Sequence, residues 1–314
     1  MNFRSKMSVL NCTATLACAL PQLLVVRVTG EDRVKFLQGQ LTNDVTRLEP
    51  GTLMTAGWCS PKGRLLTTPR LFADDDGIGM LIEEATSPAI LKRLKMYVLR
   101  SKVSIEVDDT KKVLGILGAP EGAPIEAFYA LTTGTPAVLK ELGLPEGRGM
   151  VLADASGGSR PQGALGANSD DLSEVFWAAS AAAGDPWVFG AAADQFVPQA
   201  VNLELAGGVS FSKGCYTGQE VVSRVEHIGK VSRRAALAIG ATSSAPAPMS
   251  EVLDAAGSHA GVVVYAAAVG EKTAALVQLG ASEAESASGA YTIEGVDYRL
   301  APLPYGYVRQ PQQN

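Results

Sequence analysis

The chain has 314 residues, of which 46% are hydrophobic and 19% are charged, and these fractions are typical of a globular protein rather than a disordered one. The net charge of −5 excludes nucleic-acid binding by bulk electrostatic attraction, and two histidines far apart in the sequence exclude a histidine-rich metal site. Four scattered cysteines without a CxxC pair exclude a zinc ribbon and favour free thiols in a reducing compartment.

The first residues of the chain have two interpretations. Two basic residues precede a mildly apolar stretch at 9–20, and residues 17–19 have the small-x-small form of a signal-peptide cleavage site. Polar residues interrupt this stretch, however, and no apolar run in the chain approaches the ~20 residues that a membrane helix needs. We therefore expect residues 1–22 to be a short lead into the first strand of a cytoplasmic protein.

The first part of the chain alternates strand and helix patterns, with turn signals between them. The tetrapeptide at 60–63, Ser-Pro-Lys-Gly, has the residue preferences of a type I turn and predicts a hairpin. Ser87-Pro88 supplies an N-cap and an N1 proline for a helix. The predicted elements are a strand at 23–28, a helix at 31–39, hairpin arms at 53–59 and 65–72, a second hairpin turn at 74–77, a helix at 87–98, and strands at 103–107 and 112–117.

The second part of the chain is more helical, until a proline-containing linker introduces a region of short strands. Its predicted elements are helices at 125–131, 137–142 and 171–183, a strand at 150–153, a loop at 156–168, a linker at 241–250, and β segments at 262–265, 274–279, 291–293 and 298–300. This order predicts an α+β fold, in which residues 23–240 form two interleaved subdomains and residues 241–314 form a β-rich barrel domain.

The strongest chemical signal lies at 212–222, Ser-Lys-Gly-Cys-Tyr-Thr-Gly-Gln-Glu-Val-Val. Thr217 and Glu220 fit a capping box, which predicts a helix that starts one residue after Thr217. Cys215 therefore lies just before a helix N-terminus, and Lys213 adds a nearby positive charge; both features favour the thiolate. The residues alone leave a second interpretation open, in which Cys215 is a buried cysteine at an ordinary junction of loop and helix.

The octapeptide at 213–220 resembles the signature of the YgfZ family. These are folate-binding proteins that support iron–sulfur enzymes, and they are related to the glycine-cleavage T-protein, an aminomethyltransferase. Motifs of this specificity in the same order along two chains are not expected by chance, and the resemblance covers roughly residues 23–234. The other segments that resemble motifs of the family are 36–45, 61–64, 70–72, 195–199, 202–203 and 207–211.

The resemblance implies a T-protein-like multidomain fold around a central channel that holds tetrahydrofolate. In the family, function depends on the motif cysteine, which corresponds to Cys215. The aromatic residue that packs on the pterin corresponds to Phe176 or Trp177. The expected site residues are Cys215 and Lys213 for the chemistry, and Phe176, Trp177, Gln195, Asn202, Glu204, Tyr216, Gln219 and Arg224 for contacts with the folate.

The sequence departs from the T-protein at two positions that matter for its chemistry. The acidic residue proposed to act in T-protein catalysis corresponds to Thr67 or Thr68, neither of which is a carboxylic acid. The glutamate that binds the amide edge of the pterin corresponds to Ala182. Asp185 and Glu204 are the candidates to replace that carboxylate, which a pterin's paired donors require.

Basic residues outside the cysteine motif have two interpretations. Lys62, Arg64 and Arg70 lie on or beside the first hairpin, where they either contact an anionic ligand tail or form a solvated surface. The basic stretch at 224–234 either steers an anionic ligand or RNA or is solvated, and solvation is the more common case.

These observations predict a tetrahydrofolate-dependent factor, rather than a classical enzyme, that assembles, maintains or repairs iron–sulfur clusters through the thiol of Cys215. The alternatives are a folate-dependent aminomethyl or one-carbon transferase and a tRNA-modification factor. The expected partners are iron–sulfur client proteins or cluster carriers and a small-molecule folate. We expect no resident metal, no nucleic-acid or membrane binding, and a monomer.

Overall fold

The architecture is a mixture of short helices and many strands. A computed structural model describes residues 16–118, 128–156, 165–166, 170–227 and 231–307. Within these ranges, no helix has the length and apolar character that a membrane span requires. The helices are α1 Arg33–Gln38, α2 Ser87–Lys95, α3 Pro136–Leu142, α4 Asp170–Ala182, α5 Gln219–His227 and α6 Ala281–Ser286.

The strands form two five-stranded sheets, a short hairpin and a closed barrel. In chain order they are β1 Leu16–Ala19, β2 Leu23–Thr29, β3 Met54–Thr55, β4 Trp58–Cys59, β5 Leu65–Thr67, β6 Arg70–Asp74, β7 Gly77–Glu83, β8 Ser104–Val107, β9 Lys111–Leu117, β10 Phe128–Leu131, β11 Arg148–Asp154, β12 Leu165–Gly166, β13 Arg233–Gly240, β14 Glu251–Leu253, β15 His259–Val269, β16 Lys272–Gly280, β17 Ala290–Ile293 and β18 Val296–Ala301.

The first sheet has the strand order β3-β6-β7-β2-β8 and confirms most of the elements predicted for the first part of the chain. Strands β6 and β7 form the predicted hairpin, with Asp74 paired to Gly77. The amide of Gly63 donates to the carbonyl of Ser60 (2.8 Å), which closes the predicted turn between β4 and β5. Helix α2 starts at Ser87, so this residue is the first helical residue rather than the N-cap.

The second sheet has the order β10-β11-β9-β1-β12, and several of its strands differ from the sequence prediction. Strand β1, within the predicted lead, lies between β9 and β12 in the sheet interior. The helix predicted at 125–131 is wrong for the described residues 128–131, which form β10. Hydrogen bonding to the open edge of β11 outweighs the helical propensity of this short segment. Most of the predicted loop at 156–168 lies outside the described residues, but residues 165–166 of it form β12, which pairs with β1.

The C-terminal region forms a closed barrel of β13, β16, β15, β14, β17 and β18, which confirms its predicted β-rich character. Strand β13 is already part of the barrel, so residues 241–250 connect two barrel strands. The side chains of β13 alternate between two cores. Ala236 and Ala238 belong to the barrel core, whereas Leu237 and Ile239 belong to the core that contains α4. Because both faces are buried, β13 has an almost continuous apolar sequence instead of polar–apolar alternation.

The two sheets and the barrel meet at Asp185, in the loop after α4. Its carboxylate accepts hydrogen bonds from Arg70 of β6 (2.6 Å) and from Arg148 of β11 (2.8 Å). The hydroxyl of Tyr265, on β15, donates to the Asp185 carbonyl (2.8 Å). Both arginines are almost fully buried. Arg70, for which the sequence suggested a ligand tail or a solvated surface, is therefore an interior residue that joins two parts of the chain.

An aromatic cluster surrounds these charges. The Arg70 guanidinium lies 4.0 Å from the centroid of the Trp187 ring, a cation–π distance, and Arg148 lies 5.8 Å from the ring of Phe176. Burial alone would raise the pKa of the Asp185 carboxyl, but attraction and hydrogen bonding from the two arginines lower that pKa to about 2. The carboxylate is therefore ionised at neutral pH, and it balances part of the buried positive charge.

We expect Asp185→Asn to lower the free energy of unfolding by about 3–5 kcal/mol at pH 7, because two buried guanidinium groups lose their counter-charge. In the native protein, the part of the stability that comes from the lowered pKa of Asp185 is about 2–3 kcal/mol; it is fully present above the unfolded pKa of ~3.9 and is lost as the pH falls through about 2. Chemical denaturation of both proteins measures the difference. Asp75→Asn, in the exposed turn between β6 and β7, is the control; an equal loss in both variants would contradict the prediction.

Candidate functional site

A buried lysine fastens the loop before α5 to the segment after α1. The ammonium group of Lys213 donates to the carbonyls of Gln38 (2.7 Å), Leu41 (2.6 Å) and Asn43 (2.8 Å). Burial lowers the pKa of Lys213 to about 8. This charge was predicted to favour the Cys215 thiolate, but the structure directs it into the cage of three carbonyls. Lys213 therefore connects two of the sequence motifs.

Two glycines bring the turn at 60–63 against the start of α5. Gly63 and Gly218 both have positive φ, +70° and +82°, which glycine adopts without steric cost. A Cβ atom on Gly63 would lie 2.6 Å from the Cβ of Val221, and one on Gly218 would lie 2.5 Å from the carbonyl oxygen of Ser60. The three segments that the sequence singled out, 36–45, 61–64 and 213–220, therefore meet at one place.

The N-terminus of α5 differs from the predicted capping box of Thr217 and Glu220. The helix begins at Gln219, one residue later than predicted. The carboxylate of Glu220 accepts a hydrogen bond from Arg224 (2.6 Å) on the exposed face of the helix. The side-chain oxygen of Gln219 accepts from the amide of Tyr216 (3.2 Å). Gln219, Glu220 and Arg224 thus have local partners within the motif and the helix that follows it.

The cysteine motif presents its thiol to solvent. Cys215 is exposed, whereas Cys18 and Cys59 are buried. Burial raises the pKa of both buried thiols to about 12. Cys18, which falls in the predicted lead at 1–22, lies within β1, and Cys12 lies outside the described residues. Of the described cysteines, Cys215 is the one that a soluble reagent or a partner reaches.

A cavity of about 510 Å³ lies where the two sheets and the C-terminal tail meet. Asp185 is the one carboxylic acid among its lining residues, and 12% of the Asp185 side chain remains exposed. The hydroxyl of Tyr305 donates to the carbonyl of Gly184 (2.8 Å) and attaches the tail to this wall. The lining residues are Asn43, Thr52, Leu53, Met54, Thr55, Ala130, Leu131, Thr132, Ala183, Gly184, Asp185, Leu205, Ala206, Gly207 and Tyr305.

Apart from Asp185, the candidate replacement for the missing carboxylate, the residues predicted to contact folate are not among those that line this cavity. Phe176 and Trp177 are buried on α4 and pack edge to face, with ring centroids 5.5 Å apart. Trp177 also packs edge to face against Trp187 (5.4 Å) and Phe189 (5.1 Å). In this structure both predicted stacking residues are parts of the aromatic core beside Asp185.

Most of the other predicted contacts have structural partners. The side chain of Asn202 donates to the carbonyl of Ala235 (2.9 Å) and accepts from its amide (3.2 Å), which ties the loop after α4 to the barrel. The buried carboxylate of Glu204 is paired with Arg234, and its pKa is raised by burial. Gln195 is exposed. Of the two candidates for the missing carboxylate, Asp185 lines the cavity and Glu204 does not.

The positions of the two T-protein acids are occupied by packed residues. Thr67 and Thr68 are buried, and the hydroxyl of Thr68 accepts from the amide of Val188 (3.1 Å). Ala182 is buried next to the cavity wall. The sequence prediction missed Arg148, whose one signal is a cation at the start of the apolar strand β11. It also missed Tyr305, which follows the last strand.

No model of a known protein family matches the chain. The chain is 33% identical over 228 residues to the tRNA-modifying protein YgfZ of Shigella boydii serotype 4, and 34% identical over the same length to that of Escherichia coli O157:H7. Each match covers 70% of this chain and 70% of the relative. The chain belongs to the YgfZ family.

The fold of this YgfZ family member is that of the T-protein, as predicted. It matches the glycine cleavage aminomethyltransferase T of Bartonella henselae with a TM-score of 0.61, covering 96% of this chain and 89% of that structure. The sequences are 16% identical, so the match concerns the fold. Together with the closed barrel, it confirms the α+β, T-protein-like architecture.

We expect iodoacetamide to modify Cys215 much faster than Cys18 and Cys59 at pH 8 in the native protein. The two buried thiols are shielded and, with pKa values of about 12, almost fully protonated at this pH. Mass spectrometry of tryptic peptides measures the three rates. Unfolding in guanidinium should make the rates similar, and equal rates in the native state would disprove the predicted exposure.

We expect Lys213→Met to destabilise the protein and loosen the motif, because three inward-facing carbonyls lose their donor. The loss should be about 1–3 kcal/mol. Lys62→Met, in the exposed turn that packs beside α5, is the matched control and should change stability by less than ~0.5 kcal/mol. Denaturant midpoints compare the variants; a Lys213→Met protein as stable as its control would contradict the structural role.

Proposed function

We propose that this protein is a tetrahydrofolate-binding factor in tRNA modification that supports iron–sulfur client enzymes through the thiol of Cys215. The observation that carries the proposal is the exposed Cys215, presented by a loop that Lys213 and two glycines fix in place. The name of the relatives, tRNA-modifying protein YgfZ, and the T-protein-like fold support the two broader parts of the proposal.

The cavity between the two sheets and the C-terminal tail, which Asp185 lines, is called the junction cavity here. It fits a reduced folate in size and in polarity. Its volume of about 510 Å³ lies within the ~300–1,000 Å³ that is usual for small-molecule sites. Each oxygen of Asp185 accepts one bond from an arginine, which leaves each a second lone pair. That carboxylate is therefore able to accept the paired N–H donors of a pterin. A bound folate would supply a carrier of one-carbon units.

The geometry favours a binding role over aminomethyl transfer. General acid–base catalysis works best with a group whose pKa is near the operating pH. The one carboxylic acid that lines the cavity, Asp185, has a pKa of about 2, and its negative charge is engaged by two arginines. The acidic residue proposed to act in T-protein catalysis corresponds to Thr67 or Thr68 in this chain, and neither has a carboxylate. Asp185 is therefore suited to hold a ligand and poorly suited to move a proton.

The proposed role of Cys215 is transient and shared with a partner. One thiolate supplies one ligand to an iron–sulfur cluster, whose other ligands must come from elsewhere. Within the described ranges, no group of three or more His, Cys, Asp or Glu side chains is placed to hold a metal ion. We therefore expect the partner, an iron–sulfur client or a cluster carrier, to provide the remaining ligands while Cys215 contacts the cluster or a thiol.

The folate half of the proposal is tested by filling the cavity. Ala206→Phe places an aromatic ring among the lining residues and should weaken binding of 5-formyltetrahydrofolate at least about tenfold, or ~1.4 kcal/mol, by calorimetry. Ala255→Phe makes the same change in a cavity of similar volume on the barrel and should leave binding unchanged. A wild-type protein that gives no heat with millimolar folate, or equal binding by both variants, would reject the assigned cavity.

The thiol half is tested in cells that lack the endogenous YgfZ protein. Cys215→Ser should fold, should bind folate as the wild type does, and should fail to restore iron–sulfur enzyme activity and tRNA modification. Ser212→Ala, on the same exposed loop, should restore both. Full restoration by Cys215→Ser would refute the role of the thiol and leave the folate assignment to the calorimetric test.

A further inference from the structure

The described residues have three exposed large apolar side chains, and two of them lie in the loop after α2. The three are Met96, Leu99 and Val107, which expose 63%, 88% and 46% of their surface. Val107 lies between two acidic neighbours on the edge strand β8, whereas Met96 and Leu99 lie among basic residues. Single exposed apolar residues are ordinary, but two that project from the same loop indicate a contact surface.

The loop that carries Met96 and Leu99 is fastened at both ends. Tyr97 is half-buried and packs edge to face against Trp58, with ring centroids 6.4 Å apart. At the other end, the amide of Lys102 donates to the carboxylate of Asp32 (2.8 Å), and the amide of Asp32 donates to the carbonyl of Lys102 (3.3 Å). The exposure of Met96 and Leu99 is therefore a property of a structured loop.

Leu99 has a residue type that its own backbone does not favour. Its φ is +45°, in the left-handed region, which costs a residue with a Cβ roughly 1–2 kcal/mol relative to glycine. Asparagine or glycine would relieve this strain, and the side chain recovers none of it by burial because 88% of it is exposed. Leucine at this position is favoured neither by the backbone conformation nor by side-chain packing. Residues that break both local preferences are typical of functional positions.

Four basic residues at 92–100 lie within four positions of Met96 or Leu99 in the sequence. Lys92, Lys95 and Arg100 are exposed, and Arg93 is half-buried. Within the described part of the chain, none of the four has an acidic partner within 4.0 Å. This concentration of unpaired positive charge stands on a protein whose net charge is −5, so it attracts negatively charged partners to this surface in particular.

We propose that Lys92, Lys95, Met96, Leu99 and Arg100, together the basic apolar patch, form a docking surface for an acidic protein that carries apolar side chains at its contact. Arginine and methionine are enriched in protein interfaces, and complementary charge raises the rate of encounter. The patch shares no residue with the junction cavity or the cysteine motif, so the inference is independent of the proposed function.

Protein fits this patch better than RNA or a lipid surface does. RNA recognition relies on phosphate contacts and on stacking of bases on aromatic rings, but Tyr97 is already packed against Trp58. The aliphatic side chains of Met96 and Leu99 have no hydrogen-bond donor for a phosphate group. A basic surface anchors a protein stably to a membrane when it is combined with about one myristoyl chain, and the hydrocarbon of Met96 and Leu99 together is less than that.

The experiment replaces Met96 with the photo-cross-linking amino acid p-benzoylphenylalanine in the full chain and irradiates living cells. The same amino acid at Ala256, in an exposed turn of the barrel, is the control. Cross-linked material is separated into protein, RNA and lipid adducts, and modified protein segments are identified by mass spectrometry. We expect protein adducts, absent from the control, at segments in which Asp and Glu outnumber Lys and Arg.

Second-site variants show whether the patch itself makes the contact. Leu99→Asn should keep or raise the stability of the protein, because asparagine tolerates positive φ, yet lower the cross-linking yield at least about tenfold. The double variant Lys95→Glu, Arg100→Glu should lower it as much, and Cys215→Ser should not change it. Adducts mainly with RNA or lipid, no adducts above the Ala256 control, or a yield unaffected by Leu99→Asn would overturn the proposal.

Discussion

One ionised carboxylate, that of Asp185, lies where the two sheets and the barrel of this protein meet. Asp185 is reached by an arginine from each of the two sheets, and its backbone carbonyl accepts a bond from the barrel. Two guanidinium groups inside a protein carry a large desolvation penalty, which is offset only when charge and hydrogen bonds are supplied in the right geometry. The position of the junction cavity follows from this arrangement, because its wall at 183–185 is the loop that the two arginines hold.

The loop that carries the cysteine motif is also fixed by a buried cation, but the groups that bind this cation are neutral. Lys213 is buried against neutral carbonyl groups, so the loop is held by three directional hydrogen bonds rather than by an ion pair. The close approach at Gly63 and Gly218 leaves no room for a side chain. As a result, the segment on either side of Cys215 is fixed while the cysteine itself remains at the surface. The specificity of the octapeptide reflects this packing as much as any chemistry of the thiol.

Local signals in the sequence predicted local structure well. The turn at 60–63, the hairpin at 74–77 and the helices α2 and α4 follow from proline, glycine and apolar spacing within a few residues. The partners of Asp185 were not predictable in this way, because Arg70 and Arg148 are 115 and 37 residues away in sequence. The strand β10 was mistaken for a helix for the same reason, since its conformation depends on the distant edge of β11.

The candidate site was predicted in part. The family resemblance located the cysteine motif, and the structure brings the three motifs together. The resemblance could not show that Phe176 and Trp177 face the aromatic core. An apolar helix has the same sequence pattern whether its aromatic residues contact a ligand or a neighbouring ring. The spacing of residues in the sequence does not encode charge pairing between distant residues. It also does not encode which neighbour each side chain faces when a helix is buried on more than one side.

The position of β1 has a consequence for the order in which this protein folds during synthesis. The ribosome makes Leu16–Ala19 early, yet the neighbours of this strand in the sheet are β9 and β12, which emerge about 95 and 150 residues later. At the usual ~5–20 residues per second, β1 waits on the order of ten seconds with its apolar side chains unpaired. Rare codons before residue 117 would lengthen this interval.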